Sequence, residues 1–353
     1  MSNEDQSANT INHLQAAYLQ ALVVGSGREA DRVVTAALDW ALPPQRIYLD
    51  IFQPTAYAVG QLWQRNKVSV AQEHLATAIV ERQMGELHPL FKPARPRRRT
   101  LVLGCVPDEW HRVGARMVAD FFEADGWTVH YLGANVPIRD LVGMAREGAA
   151  DLVGLSAEMI FNLTRVSELV RAFDKAGLGG IPVIAGGMPF ITQPDLAQAL
   201  NLRGSATNAE AAVALANQIV SAATVLPTPG PEALAAVAVR GARAEILAAA
   251  IARCVAAGDT ETDMIAAGYG YVLRMLEAAL VAGTPALLDP QITWAHDRQP
   301  HDGVAPAQLL ARLHHMAATL RALLAAPQGG AAAAYIDRLI AGQRRVMGLV
   351  SVA

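Results

Sequence analysis

Only two of the 353 residues are cysteines, Cys105 and Cys254, and they fall in different parts of the chain. Neither a disulfide framework nor a cysteine-rich metal site is therefore available, and a reducing, cytoplasmic setting is expected. No uninterrupted apolar run reaches the roughly 18 residues that mark a membrane span, and the first residues, MSNEDQSANTIN, are too polar for a secretory leader. An excess of one charge is also lacking: the net charge is −3, and the one basic cluster, Lys92 to Arg99, reads as a linker. Without a basic face, direct nucleic-acid binding is not expected. The patterns G-x-G-x-x-G and G-K-[ST] are missing from the first strand-to-helix loop, which excludes the phosphate cradles built on them. What remains is 52% hydrophobic and 17% charged, rich in alanine, and long enough for two or three domains.

Residues 9–92 carry helical periodicity with breaks at Gly25 to Gly27, Pro43-Pro44 and Asn66-Lys67, which describes a bundle of about four helices. Ser69 followed by Gln72 is a capping-box pattern, so a helix should begin at Val70 with Glu73 and His74 in its first turn. Trp63 ends the helix before. These three residues should cluster at one end of the bundle, either facing whatever packs there or serving as core (Trp63) and solvated helix start (Glu73, His74).

Residues 98–224 alternate strand and helix. Strands are expected at Thr100 to Val106, Thr128 to Leu132, Asp151 to Ser156, Pro182 to Ala185 and near Arg203 to Thr207. Apolar strands joined by helices make a five-stranded parallel, doubly wound, Rossmann-like (flavodoxin-like) sheet. The loops after its strands converge on one edge, where open sheets of this kind bind ligands. His111 lies in the first of them, with Asp108 and Glu109 both placed to orient its ring. Ser156 ends the third strand. Gly186-Gly187 follows the fourth and, lacking Cβ atoms, lets backbone approach a flat ligand.

The proline-rich stretch Leu226 to Ala233 marks a second boundary, and residues 231–353 read as about five helices. Polar and aromatic residues interrupt their apolar faces: Tyr269, Tyr271 and Arg274, then Trp294, His296 and Asp297, then His314 and His315. Such a domain either encloses a prosthetic group or serves dimerisation.

Taken together, Glu109-x-His111-x-x-Gly114, 41 residues to Ser156, and 27 residues between Glu158 and Gly186-Gly187 resemble the D-x-H-x-x-G, S-x-L and G-G elements of the cobalamin-binding module of corrinoid proteins. The resemblance covers about residues 100–222 and implies that His111 is the lower cobalt ligand, in a base-off, His-on arrangement. Two departures stand: Glu109 replaces the leading aspartate, and Glu158 replaces the leucine where the nucleotide tail would be buried.

Trp63, nine residues, then Glu73-His74 resembles the W-x9-E-H signature of the cobalamin-dependent photoreceptors. That resemblance implies adenosylcobalamin, with Trp63 and Glu73 around the adenosyl group and His74 as upper cobalt ligand after light breaks the cobalt–carbon bond. An aromatic lid and an imidazole suit those two tasks. With the bundle starting near residue 9, no DNA-binding head is expected.

The C-terminal helices, and the segment ITWAHDRQPHDGVAPAQLLARL within them, make the chain most similar to the photocobilins, in which a helical bilin-binding domain follows the cobalamin module. On that resemblance biliverdin is a second chromophore. Arg274 would pair with a propionate, Asp297 or His296 would meet pyrrole nitrogens, Trp294, Tyr269 and Tyr271 would wall the ring system, and Cys254 is either a thioether attachment or a core thiol. The expected function is a light-sensing signalling protein rather than an enzyme, acting through a homo-oligomer such as a dimer or through an unknown protein effector. The competing reading is a corrinoid methyl-carrier for a methyltransferase. A third, a scaffold that has lost its cofactor, is opposed by the intact His111 and Gly186-Gly187.

Overall fold

In a computed structural model, residues 3–220 and 232–349 are described here. The end of the sheet domain and most of the proline-rich boundary lie outside them. The architecture is an N-terminal helical region, a five-stranded parallel sheet with helices on both faces, and a C-terminal helical region.

The N-terminal bundle contains α1 (Asn3–Val23), α2 (Gly27–Asp39), α3 (Gln53–Gln64) and α4 (Val70–Leu87). Ser26 caps α2 by accepting from the Glu29 N–H. The helix leading into α3 carries a π turn, Tyr48–Phe52, that the sequence pattern did not announce. Its cause is Pro54, which has no N–H to give to the Asp50 carbonyl. The Gln15 side-chain amide takes that carbonyl instead, and Thr55 Oγ1 donates to the Ile51 and Phe52 carbonyls at 2.6 and 3.0 Å. The expected capping box forms: Ser69 Oγ accepts from the Gln72 N–H and Gln72 Oε1 accepts from the Ser69 N–H. Tyr18 and Tyr48 stack on Phe52 at 5.1 and 5.6 Å in the bundle core.

The sheet comprises β1 (Thr100–Cys105), β2 (Thr128–Tyr131), β3 (Leu152–Ser156), β4 (Val183–Gly186) and β5 (Gly204–Ala206), all parallel in the order β2-β1-β3-β4-β5. Its helices are α5 (Val113–Ala124), α6 (Ile138–Glu147), α7 (Leu163–Lys175) and α8 (Ala209–Ile219). β1 is buried along nearly its whole length, which is why it reads as a continuous apolar run. On one face, Leu101, Leu103 and Ile184 pack against Phe122 of α5 and Ala212 and Ala216 of α8. On the other, Val102, Val153 and Leu155 join α6 and α7 in a core that continues into the C-terminal helices. α5 also presents Met117 and Phe121 to the bundle core, so bundle and sheet share buried apolar surface.

The C-terminal region contains α9 (Glu232–Gly241), α10 (Arg243–Ala256), α11 (Thr262–Val281), α12 (Asp289–Arg298), α13 (Pro306–Leu323) and α14 (Ala326–Val346). Among the described residues, α11 is the one helix long and apolar enough to cross a membrane by length and composition, with a mean hydropathy of 1.3 over its most apolar stretch. Half of that stretch is buried in the protein core, as befits a central packing helix.

Candidate functional site: an imidazole at the switch point of the sheet

In this strand order the chain reverses direction between β1 and β3, and a crevice opens at their carboxyl ends. The loop after β1 crosses that point. Asp108 takes a left-handed turn at φ 67 and donates its N–H to Asn135 Oδ1 at 2.8 Å, and Glu109 is turned inward, with its side chain fully buried.

Glu109 settles which carboxylate serves His111. Its Oε1 accepts from His111 Nδ1 at 2.6 Å and from the His111 backbone N–H at 3.1 Å. Its Oε2 accepts from the Glu158 and Met159 N–H groups at 2.8 and 3.0 Å and from Asn162 Nδ2 at 3.0 Å. Burial alone would push this carboxyl up, but the hydrogen bonds from His111, Met159 and Asn162 outweigh it and hold the group at about 2. Asp108 instead pairs with Arg165 at the surface, at 2.9 Å.

The His111 ring is thereby fixed through Nδ1, leaving Nε2 without a partner among the described residues and the side chain 57% exposed. The Glu109 hydrogen bond raises its pKa; burial opposes this, and the charges of Glu109, Glu158 and Glu73 reinforce it. A carboxylate on one ring nitrogen and a free second nitrogen is the arrangement of an oriented metal ligand. A Cβ added to Gly114 would meet nothing within 4 Å, so space is open beside the ring's loop.

Across the carboxyl ends of the strands, Cys105, Ser156, Gly186 and Ala206 stand in register on neighbouring strands. These four small residues form a row on the face toward α5 and α8, half-buried at Ser156, Gly186 and Ala206 and fully buried at Cys105. The Cys105 thiol is buried and pushed up to about 12, chiefly by that burial, so it is an inert lining group. The two glycines differ from the sequence expectation. Gly187 sits at φ 123, where a Cβ would lie 2.2 Å from the Ala157 carbonyl oxygen, so its lack of a side chain is used by the packing of two loops. Gly186 alone keeps its open side, with the nearest atom 3.5 Å away. Glu158 Oε2 accepts from the Met188 N–H at 3.1 Å, and burial raises its pKa.

The bundle supplies the opposite wall. The Glu73 charge reaches His111 from the first turn of α4. Glu73 Oε1 accepts from Thr77 Oγ1 at 3.0 Å and Oε2 lies 2.8 Å from His74 Nδ1, while His74 is 74% exposed. Tyr57 of α3 is raised by burial and feels the charge of Glu158. Sequence reasoning missed Tyr57, whose only signal was its place in the same helix as Trp63. Arg112, next to His111, clamps Glu81 of α4 through two hydrogen bonds of 2.7 and 2.9 Å. Trp63 is half-buried at the end of α3, with the Arg298 guanidinium of α12 at 5.6 Å from its ring centroid.

The C-terminal candidates separate into different places. Tyr269, Tyr271 and Trp294 line an apolar cavity of about 170 Å³ that also takes in Val272, Leu313 and Gln343. Gln343 Oε1 is buried there without a partner among the described residues. Arg274 lies outside this cavity, stacked 4.0 Å from the Phe161 ring centroid, so it does not line the tyrosine and tryptophan pocket as expected. His296 and Asp297 are half-buried on α12, and His296 Nδ1 is buried without a partner among the described residues. Cys254 is buried and 2.9 Å from the Tyr269 hydroxyl, which donates to the Arg312 carbonyl: it is a core thiol, not an attachment point. The aromatic walls suit a flat conjugated ligand, but 170 Å³ is below the about 300–1,000 Å³ of ligand pockets, so a whole tetrapyrrole does not fit the cavity in this form.

Fold and crevice together define a corrinoid-binding module: a strand-end histidine held by a buried carboxylate, a row of small residues beside it, and a helical cap above. Sequence comparison agrees. B12 binding domain families match residues 99–214 and, through the helical cap, residues 14–88. The chain is 30% identical to dimethylamine corrinoid protein 1 of Methanosarcina acetivorans over 46% of this chain and 77% of that one. It is 29% identical to dimethylamine corrinoid protein 3 of the same organism over 51% and 84%, and 31% identical to the HTH-type transcriptional repressor CarH of Myxococcus xanthus over 42% and 48%. The chain thus spans about half the length of that repressor. The monomethylamine corrinoid protein of Methanosarcina barkeri shares the fold, with a TM-score of 0.53 at 18% identity over 60% of this chain and 99% of that one. The protein belongs to the cobalamin-binding, corrinoid protein family.

Proposed function

We propose that this protein is a light sensor built on adenosylcobalamin. The observation that carries the reading is the Glu73–His74 pair, 2.8 Å apart in the first turn of α4 with His74 74% exposed. The residues fit a corrinoid: His111 Nε2, without a partner among the described residues, would serve the lower face, Glu109 holds the ring, and the small residues Ser156, Gly186 and Ala206 would leave room for a nucleotide tail. Bound there, adenosylcobalamin would supply a cobalt–carbon bond that visible light breaks. Trp63 and Glu73 would enclose the upper group, and His74, exposed and paired among the described residues with Glu73, would supply the imidazole for the upper face.

The bundle is the element such a switch would move. Arg112–Glu81 ties it to the loop that carries His111, and Trp63–Arg298 ties it to the C-terminal helices. The output would go to a second copy of the chain or to a protein effector. For the C-terminal helices we keep biliverdin as the ligand class, on the aromatic side chains of Tyr269, Tyr271 and Trp294; the cavity of about 170 Å³ as it stands holds only part of a tetrapyrrole. A light-driven shift to the spectrum of cobalamin with imidazole on both faces, lost in His74→Ala while dark binding persists, is the expected result. Persistence of that shift in His74→Ala would remove His74 from the reading.

The corrinoid methyl-carrier is the second reading, favoured by the 84% coverage of a dimethylamine corrinoid protein. It predicts preferential binding of methylcobalamin, no stable light product, and no dependence on Trp63 or His74.

A further inference from the structure

We propose that the cleft between the sheet and the C-terminal helices is a binding site for an oxyanion, either a phosphate or a carboxylate group. The cleft holds about 220 Å³ and is polar, in contrast to the apolar cavity beyond it. Four guanidinium groups converge on it from four helices: Arg165 of α7, Arg240 of α9, Arg243 of α10 and Arg274 of α11. Three carboxylates face them, those of Asp108, Glu168 and Glu277, which leaves one positive charge in formal balance.

The carboxylates are already shared. Arg165 is 2.9 Å from both Asp108 and Glu168, Arg240 bridges Glu168 and Glu277, and Arg243 also pairs with Glu277. Glu277 is only 4% exposed, so the pairs it makes hold Arg240 and Arg243 in place. Arg274 has no carboxylate partner among the described residues. Its guanidinium is held by its face, over the Phe161 ring at 4.0 Å. A cation stacked in that way keeps its N–H edge for an acceptor in its own plane, and the guanidinium fork matches the two oxygens of a carboxylate or phosphate. The five neighbouring ion pairs fix the walls and balance one another, which leaves the Arg274 guanidinium as the uncompensated charge of the cleft.

Two sources present this chemistry. One is free phosphate or a phosphorylated metabolite. The other is the carboxylate arm of a larger ligand in the adjoining helical region, and this second source rests on the bilin reading above.

Calorimetric titration of the full chain with inorganic phosphate, at constant ionic strength in chloride, tests the first. Saturable one-site binding, weakened about 10-fold or more in Arg274→Gln and less in Arg274→Lys, supports the site. Absorption titration with biliverdin and with biliverdin dimethyl ester tests the second. Tighter binding of the free acid by about 10-fold, erased in Arg274→Gln, supports the site with a carboxylate arm as its ligand. Phosphate heats that are absent or equal in wild type and Arg274→Gln, together with equal affinity for acid and ester, overturn the oxyanion site and leave the bilin reading standing. Phosphate binding without biliverdin binding does the reverse.

Discussion

The two candidate sites of this chain are built by opposite means. At the sheet edge a single buried carboxylate, Glu109, gathers five hydrogen bonds from the loops after β1 and β3 and spends them on aiming one imidazole. In the C-terminal helices the cavity is walled by aromatic and aliphatic side chains; among its polar groups Tyr269 is tied into the core, and Gln343 Oε1 has no partner among the described residues. The first site is rigid before any ligand arrives, because a fully satisfied polar network has one low-energy arrangement. The second is shaped by apolar packing, which adapts to a ligand more readily but specifies none.

Substitutions can break that contrast. The largest effect is expected for His111→Ala, which removes the imidazole proposed as lower cobalt ligand: affinity for cobalamin should fall by more than about 100-fold in a spectroscopic titration, with no His-ligated spectrum. Asp259→Asn tests the C-terminal side without any ligand. Arg312 is 8% exposed and paired with Asp259 at 2.7 Å, so its loss should cost about 3–5 kcal/mol in chemical unfolding at neutral pH. The Arg312 hydrogen bond, against an opposing effect of burial, holds the Asp259 carboxyl below its ordinary 3.8. The stabilisation is therefore present above that value and is lost as pH falls through the lowered one, so the difference between wild type and Asp259→Asn should shrink in acid. Gly187→Ala should cost about 3 kcal/mol, from a positive φ and the contact with the Ala157 carbonyl, and should weaken corrinoid binding only through that distortion. The smallest effect is expected for Arg298→Gln, about 0.5–1 kcal/mol in chemical unfolding followed by circular dichroism, from loss of the contact with the Trp63 ring. If that variant also changes cobalamin spectra, the two regions are coupled through Trp63.

The same contrast explains what could be read from sequence. β1 was legible because a strand buried on both faces is a continuous apolar run, and the helix at Val70 because Ser69 and Gln72 are the cap. His111 was legible because a short loop fixes its place. The choice between Asp108 and Glu109 was not, since it depends on a left-handed turn at Asp108 and on donors from Glu158, Met159 and Asn162 far along the chain. Arg274 was grouped with Tyr269 and Tyr271 by proximity along α11, yet helical phase turns it to Phe161 and a different cleft. Trp63–Arg298 joins residues with no common pattern at all.

The assignment of His111 as the ligand that replaces the cofactor's own base on cobalt is part of the proposed function. It is tested most directly by electron paramagnetic resonance of the protein loaded with cobalt(II) cobalamin, prepared with and without ¹⁵N-histidine. Coupling to one histidine nitrogen predicts that each cobalt line, a triplet in unlabelled protein, becomes a doublet on labelling and loses that coupling in His111→Ala. A triplet that survives labelling would mean that the cofactor's benzimidazole still binds cobalt, and His111 would not be its ligand.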